Sequence, residues 1–316
     1  MIETTLYSDP ACPWAYSESP ALRVIEWRYG DQLDWRLVLI GLTEDAAQYE
    51  ARGYTPLRGA LGQSFFRRRY GMPFAPVPKA RLSATARACR AVIAARIDQP
   101  GSEWRVFRAI QLANFTTPLI LDDDDQLAQA LDRVPEIDGR AVVSRIDDSD
   151  VLEAYNQDKL ESRSAAGSAA ELQGKTRITD GPVRFTAPSV TFELGGTRLV
   201  AGGFQPADAY DILVANLDPE LDRQPPPETP EPLLERFSDG LTTQEVAALL
   251  AGNNQAPDRT AAEAALLELV ADGRAVRQPL GDDALWIDPR APRPGPAAAV
   301  GSAQASSNRS GSDSSP

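Results

Sequence analysis

The chain contains no histidine. That excludes Ser-His-Asp and Cys-His nucleophile pairs. It also excludes HExxH metalloprotease sites and most zinc and iron sites. Only two cysteines occur, Cys12 and Cys89, too few for a four-thiolate metal centre within one chain. No metal is therefore expected. No apolar run approaches the roughly 18 residues of a membrane span, so no membrane association is expected. Basic residues are the minority charge, 32 against 45 acidic ones, for a net charge of −13. Phosphate neutralisation needs clustered cations, so no nucleic-acid partner is expected. The opening Met1-Ile2-Glu3-Thr4-Thr5 lacks the basic and then apolar pattern of a secretory signal. A cytoplasmic location is expected, where thiols stay reduced. Any catalysis must come from a thiol, a hydroxyl, a carboxylate or a bound cofactor.

With 316 residues, 42% of them hydrophobic, the chain suits one large domain or two ordinary ones. Ile2 to Ser8 reads as a strand, Asp9-Pro10-Ala11 as a turn, and Pro13 to Arg28 as a helix. Asp34 to Ile40 alternates as a second strand. This β-α-β opening implies a parallel pair with a right-handed crossover. A helical middle follows, with signals over Arg81–Ile97, Ser102–Ala113, Gln126–Arg133, Gly139–Ile146 and Ser149–Ala170. Strands return at Ser189–Leu194 and Thr197–Ala201 around Gly195-Gly196, a dipeptide suited to a tight hairpin turn. Pro206 to Leu217 reads as a helix with proline near its first turn.

Residues 222–232 are Pro-rich and read as a semi-rigid linker. Beyond them, short helices are expected at Pro232–Ser238, Thr242–Leu250 and Arg259–Asp272, with Thr242 or Thr243 as a cap. Arg274–Gln278 and Ala284–Ile287 read as a wing around Gly281. Residues 228–288 carry twelve acids against four arginines, so this unit is expected to contact protein rather than DNA. The last residues, 289–316, have almost no large apolar side chains and are expected to be disordered. The Arg67-Arg68-Arg69 cluster reads as a solvated helix face and the Asp122–Asp125 run as a solvated helix start. The acidic run lacks the alternating ligands and the glycine of a calcium loop.

The most informative segment is Asp9-Pro10-Ala11-Cys12-Pro13-Trp14-Ala15-Tyr16. A cysteine falls where a strand ends and a helix begins, and Pro13 fits the first helical position. Free N–H groups and the helix dipole favour an anion there, so a lowered thiol pKa is expected. Cys89, in an Ala-rich helix interior, reads as a buried structural thiol.

Asp-Pro-x-Cys-Pro-Trp after the first strand resembles the DsbA-like branch of the thioredoxin superfamily, including the FrnE-like oxidoreductases. Thr186-Ala187-Pro188-Ser189 resembles that branch's cis-proline loop, and Gly202-Gly203-Phe204-Gln205-Pro206 its following turn. The resemblance covers residues 1–217. It implies an α/β class: a thioredoxin-like fold over 1–221 with a helical domain inserted at 44–178. A small winged-helix-like domain at 233–288 follows. The same resemblance implies Cys12 as nucleophile, a cis Pro188 against it, backbone around Ala187 that pairs with substrate, and Pro13 and Trp14 shaping the site. Redox members carry Cys-x-x-Cys, and here Ala15 replaces the second cysteine, so no resolving thiol stands beside Cys12. The segment is also similar to kappa-class glutathione transferases and 2-hydroxychromene-2-carboxylate isomerases, which carry serine at this place.

Three functions stay open. One is monothiol disulfide exchange or reduction with a small thiol or disulfide substrate, and glutathione or mycothiol as co-substrate. The second is a transferase or isomerase activity on a bound thiol. The third is a non-catalytic scaffold. No tightly bound cofactor is expected. A homodimer, and a protein partner held through 233–288, complete the expectations.

Overall fold

The computed structural model describes residues 1–292. The disorder expected beyond Asp288 therefore lies almost wholly outside the described residues.

Strand β1 (Ile2–Ser8) leads into helix α1 (Pro13–Tyr29) and strand β2 (Leu33–Leu39). β1 and β2 pair in parallel, with Leu6 opposite Leu37. Alternation along β1 sends Ile2 and Leu6 into a cluster with Ile25, Tyr210 and Val214. Tyr7 goes to the other face and stacks on Phe185 at 4.4 Å.

The helical block is α2 (Ala47–Ala51), α3 (Pro56–Tyr70), α4 (Ala86–Asp98), α5 (Glu103–Thr116), α6 (Asp124–Leu131), α7 (Gly139–Arg145), α8 (Ser149–Ser162) and α9 (Ala169–Leu172). Three expectations need correction. The helix expected from Arg81 starts only at Ala86. Thr85 is its N-cap residue, with its hydroxyl turned to Thr43 and Asp9 rather than to the first helical turn. The run expected over Ser149–Ala170 breaks after Ser162. Arg163 turns there to donate to the Ile40 carbonyl and to Asp180. Nor is the whole Asp122–Asp125 run solvated. Asp123 caps α6 through the Gln126 N–H, while Asp122 accepts from the Ala84 N–H and pairs with Arg81.

A short hairpin of β3 (Thr176–Arg177) and β4 (Arg184–Phe185) was not legible in the sequence. It leads into β5 (Ser189–Leu194), β6 (Thr197–Gly202) and α10 (Ala207–Leu217). The main sheet has the order β2-β1-β5-β6. Gly195 and Gly196 both take positive φ, +57° and +81°, as the two-residue turn requires.

The C-terminal unit contains α11 (Glu231–Arg236), β7 (Leu241–Thr242), α12 (Thr243–Leu250), α13 (Arg259–Ala271), β8 (Val276–Leu280) and β9 (Asp283–Ile287). Its strands order as β7-β9-β8. The Pro-rich stretch before it is not a free spacer. Trp27 Nε1 donates to the Pro225 carbonyl at 2.8 Å, and the Gln224 N–H donates to the Arg28 carbonyl at 2.9 Å. The outer flank of α1, through Val24 and Trp27, enters the core of this unit beside Leu233, Phe237 and Leu266. α1 is thus buried on two sides.

At the centre of that interface Arg108 on α5 meets Glu245 on α12. The contact is two-pronged, Nη1–Oε1 at 2.7 Å and Nη2–Oε2 at 2.8 Å. Glu245 is fully buried and also accepts from the Thr242 N–H, closing a capping box. Burial alone would push its pKa up. The charge and hydrogen bonds of Arg108, helped by Arg23 and Ser19, take it down to about 2. At the far side the wing tip is docked as well. The Asp282 N–H donates to the Phe74 carbonyl, and the Phe74 N–H donates to Asp282 Oδ1. Among the described residues no helix is long and apolar enough to cross a membrane.

Candidate active site

Cys12 is the N-cap residue of α1, with extended backbone (φ −81°, ψ 117°), and Pro13 opens the helix. Its Sγ donates to the Ala187 carbonyl at 3.1 Å. The Ala187–Pro188 peptide is cis. Residues 175 positions apart are therefore joined at one point. Ser189 braces the loop by donating from Oγ to the Thr186 carbonyl and accepting from the Gly203 N–H. Pro13 is half-buried beside them, and Pro188 is buried.

Trp14 is 42% exposed, the most open large side chain of the segment. It packs edge-on against Phe66, Tyr70 and Phe204, so α1, α3 and the Gly202–Pro206 turn share an aromatic rim. The Arg67–Arg69 cluster ends α3. Arg67 leans towards Asp282 at 3.5 Å, and Arg69 lies over the Tyr70 ring.

The expected lowering of the Cys12 pKa is not what the geometry gives. Cys12 is only 5% exposed. Burial pushes its thiol up to about 12, and nearby Asp9 adds to the rise. The N–H groups of Ala15 and Trp14, and the charge of Arg184, act in the opposite direction but do not win. Desolvation of a sulfur anion outweighs a helix N-terminus unless water or another partner reaches it. The resting state is a protonated thiol held on a carbonyl.

Asp9 is the residue that sequence reasoning missed. It read as part of a turn, but its carboxylate is fully buried. It accepts from the N–H groups of Ala11 and Leu42 at 2.9 Å each and from Thr85 Oγ1 at 2.8 Å. Cys89 Sγ also donates to it, at 3.6 Å. Cys89 is therefore buried, as expected, but is bonded to the carboxylate under the Cys12 turn. Burial raises the pKa of Asp9 and, well above its ordinary value, that of Cys89. No local spacing announces this cluster, because its donors come from three separate segments.

Arg184 adds a second unforeseen element. It is 6% exposed and donates to the Phe185 carbonyl and to Thr179 Oγ1. Among the described residues it has no carboxylate partner within ion-pair distance, and burial lowers its pKa. It brings positive charge to the neighbourhood of Cys12.

No family model and no curated protein matches this chain. Solved structures do. One, described as a DsbA oxidoreductase from Streptomyces coelicolor, is 16% identical and has a TM-score of 0.51. The match covers 70% of this chain and 91% of that one. Another, described as a disulfide isomerase from Nitrosomonas europaea, is also 16% identical, with a TM-score of 0.50. It covers 68% of this chain and 96% of its own. This is the DsbA-like thioredoxin fold with its inserted helical domain. The strand–cysteine–helix junction and the cis-proline loop meet where the sequence reading expected them. Ala15 stands one turn after Cys12, so the chain has the fold without the paired thiol.

Proposed function

We propose that this protein is a thiol-dependent oxidoreductase working through the single thiol of Cys12. The observation that carries the reading is the contact of Cys12 Sγ with the carbonyl that precedes the cis proline. An extended substrate backbone that takes over the Ala187 carbonyl removes the acceptor that holds the thiol proton. The helix N-terminus and Arg184 then remain to stabilise sulfur charge. In the first step Cys12 sulfur attacks one sulfur of a substrate disulfide. A Cys12–substrate disulfide forms, and the other half leaves as a thiolate that takes up the proton. In the second step a small thiol such as glutathione or mycothiol attacks this mixed disulfide. Its sulfur bonds to the substrate half, and Cys12 returns as thiol. No second protein cysteine is needed. Such a cycle suits a reducing compartment, and the cytoplasm is the proposed location.

A non-catalytic scaffold is the second reading. It is favoured by the burial that holds the Cys12 thiol near 12 and by the loss of the resolving cysteine at Ala15.

Turnover of a glutathionylated peptide with glutathione as co-substrate tests both. Under the first reading the protein accelerates peptide release, a Cys12–glutathione adduct is trapped by mass spectrometry, and Cys12→Ser abolishes both. No adduct and no acceleration from pH 7 to 10 would remove the enzyme reading and leave the scaffold.

A further inference from the structure

A half-open hollow of about 310 Å³ lies behind α1, apart from the exposed rim around Trp14 but reaching Pro188 of the cis-proline loop. Its floor is the β1–β2 sheet at Leu6, Ser8 and Trp35. α1 contributes Ala15 and Leu22, and α5 contributes Trp104, Phe107 and Arg108. The segment Arg236–Asp239 of the C-terminal unit closes it, with Phe237 facing in. The volume is at the small end of ligand pockets, which run from about 300 to 1,000 Å³, and the walls are mainly aromatic and aliphatic.

The polar groups in this apolar shell are not all satisfied. Ser8 is 1% exposed, and its Oγ has no hydrogen-bond partner. Trp35 Nε1 is buried without an acceptor. Indole N–H is a donor only, so it calls for an acceptor from outside the protein. The charges differ in the same direction. Arg23 and Arg108 are neutralised by Glu26, Asp239 and Glu245. Arg105 lines the hollow and an adjoining one of about 70 Å³ that Arg133 also lines. Among the described residues Arg105 has no carboxylate within ion-pair distance. An apolar hollow with idle donors and one idle cation is matched by an apolar body bearing an anionic acceptor.

We propose that this interdomain hollow is a binding site for a small aromatic carboxylate. Its ring packs among Trp35, Trp104, Phe107 and Phe237, and its carboxylate accepts from Arg105 and Trp35 Nε1. The site is built jointly by the sheet, α5 and the C-terminal unit. A bound ligand therefore holds the C-terminal unit against α1, whose first turn carries Cys12. The inference does not depend on the thiol chemistry proposed above.

Calorimetric titration of the full chain with 2-naphthoate, and with its uncharged counterpart 2-acetylnaphthalene, tests the assignment. Saturable one-site binding of the naphthoate is expected, with clearly weaker binding of the ketone. Arg105→Gln is expected to weaken the naphthoate about tenfold, as loss of a charged hydrogen bond does. Trp35→Phe is expected to weaken it several-fold. Both positions are partly exposed, and unchanged melting of Arg105→Gln verifies folding. Cys12→Ser is expected to bind as the parent does, which separates this site from the thiol site. Absence of saturable binding at millimolar naphthoate overturns the proposal. So does equal binding of the ketone, or a Kd unmoved by Arg105→Gln.

Discussion

Removing the charge of Glu245 is expected to loosen the C-terminal unit more than any other single isosteric change. Glu245 is fully buried, and its partner Arg108 is 9% exposed. Breaking one side of a buried ion pair leaves the other charge uncompensated in low dielectric, which costs about 3–5 kcal/mol. Asp239 stays 3.0 Å from Arg108 Nε, so the lower end, about 3 kcal/mol, applies to Glu245→Gln. For a protein of this size that corresponds to a fall in melting temperature of about 4–5 °C. The loss falls on an interface, so calorimetry should resolve an early transition of the C-terminal unit ahead of the rest. Arg108→Met leaves a buried carboxylate and should cost at least as much. The double variant Arg108→Met/Glu245→Met leaves neither charge and should recover most of the loss, short of about 1 kcal/mol for the broken cap. The pH dependence has a definite sign. The Glu245 pKa is depressed to about 2, so its contribution is complete above the ordinary carboxylate range and disappears as pH falls through about 2. A cost below about 1 kcal/mol for Glu245→Gln would refute the reasoning. So would a double variant as unstable as the two single losses added together.

Three further outcomes are expected. Glu18 on α1 is buried, and burial raises its pKa to about 8. Stability therefore declines as pH rises from about 4.5 through 8, by up to about 1.4 kcal/mol per unit. Glu18→Gln keeps the acceptor for the Gln205 N–H and should flatten that decline in urea titrations, whereas parallel profiles would contradict it. Ala15→Cys places a thiol one helical turn from Cys12, on a residue that lines the hollow and so has room for it. Diamide should then remove both thiols as an intramolecular disulfide, and two free thiols after oxidation would disprove the placement. Gly281 has φ +58°, and a Cβ there would lie 2.9 Å from the Phe74 carbonyl oxygen. Gly281→Ala should destabilise by about 1–3 kcal/mol through the wing contact. A melting temperature within 1 °C of the parent would show that the tip is not docked as described.

The local half of the structure was legible because its signals are local. Cys12 followed by Pro13 marks a strand-to-helix junction, and Gly195-Gly196 marks a turn that needs positive φ. The same locality explains the errors. The Ala- and Arg-rich segment from Arg81 has helical composition, but Thr85 spends its hydroxyl on Asp9. Thr242 reads as a helix cap, and it is one, with the carboxylate of Glu245 closing its capping box. Nothing in that spacing reveals that the same carboxylate grips an arginine 137 residues earlier. The thiol pKa failed for a related reason. A helix N-terminus is visible in sequence, whereas the burial that opposes it comes from distant residues such as Ala187 and Phe185. Asp9 is the strongest example, an ordinary turn residue that becomes an acceptor for donors from three segments.

The Arg108–Glu245 pair also constrains how the chain is made. A ribosome adds about 5–20 residues per second, so Arg108 emerges on the order of ten seconds before its carboxylate exists. During that interval the thioredoxin-like part already has its residues, yet Val24, Trp27 and Arg108 still lack the surface that covers them. A nascent chain ending near residue 221 presents an apolar flank and a stranded cation together. Synthesis is complete for the thioredoxin-like part well before its folding is, and the last helices act as the closing fastener of the first.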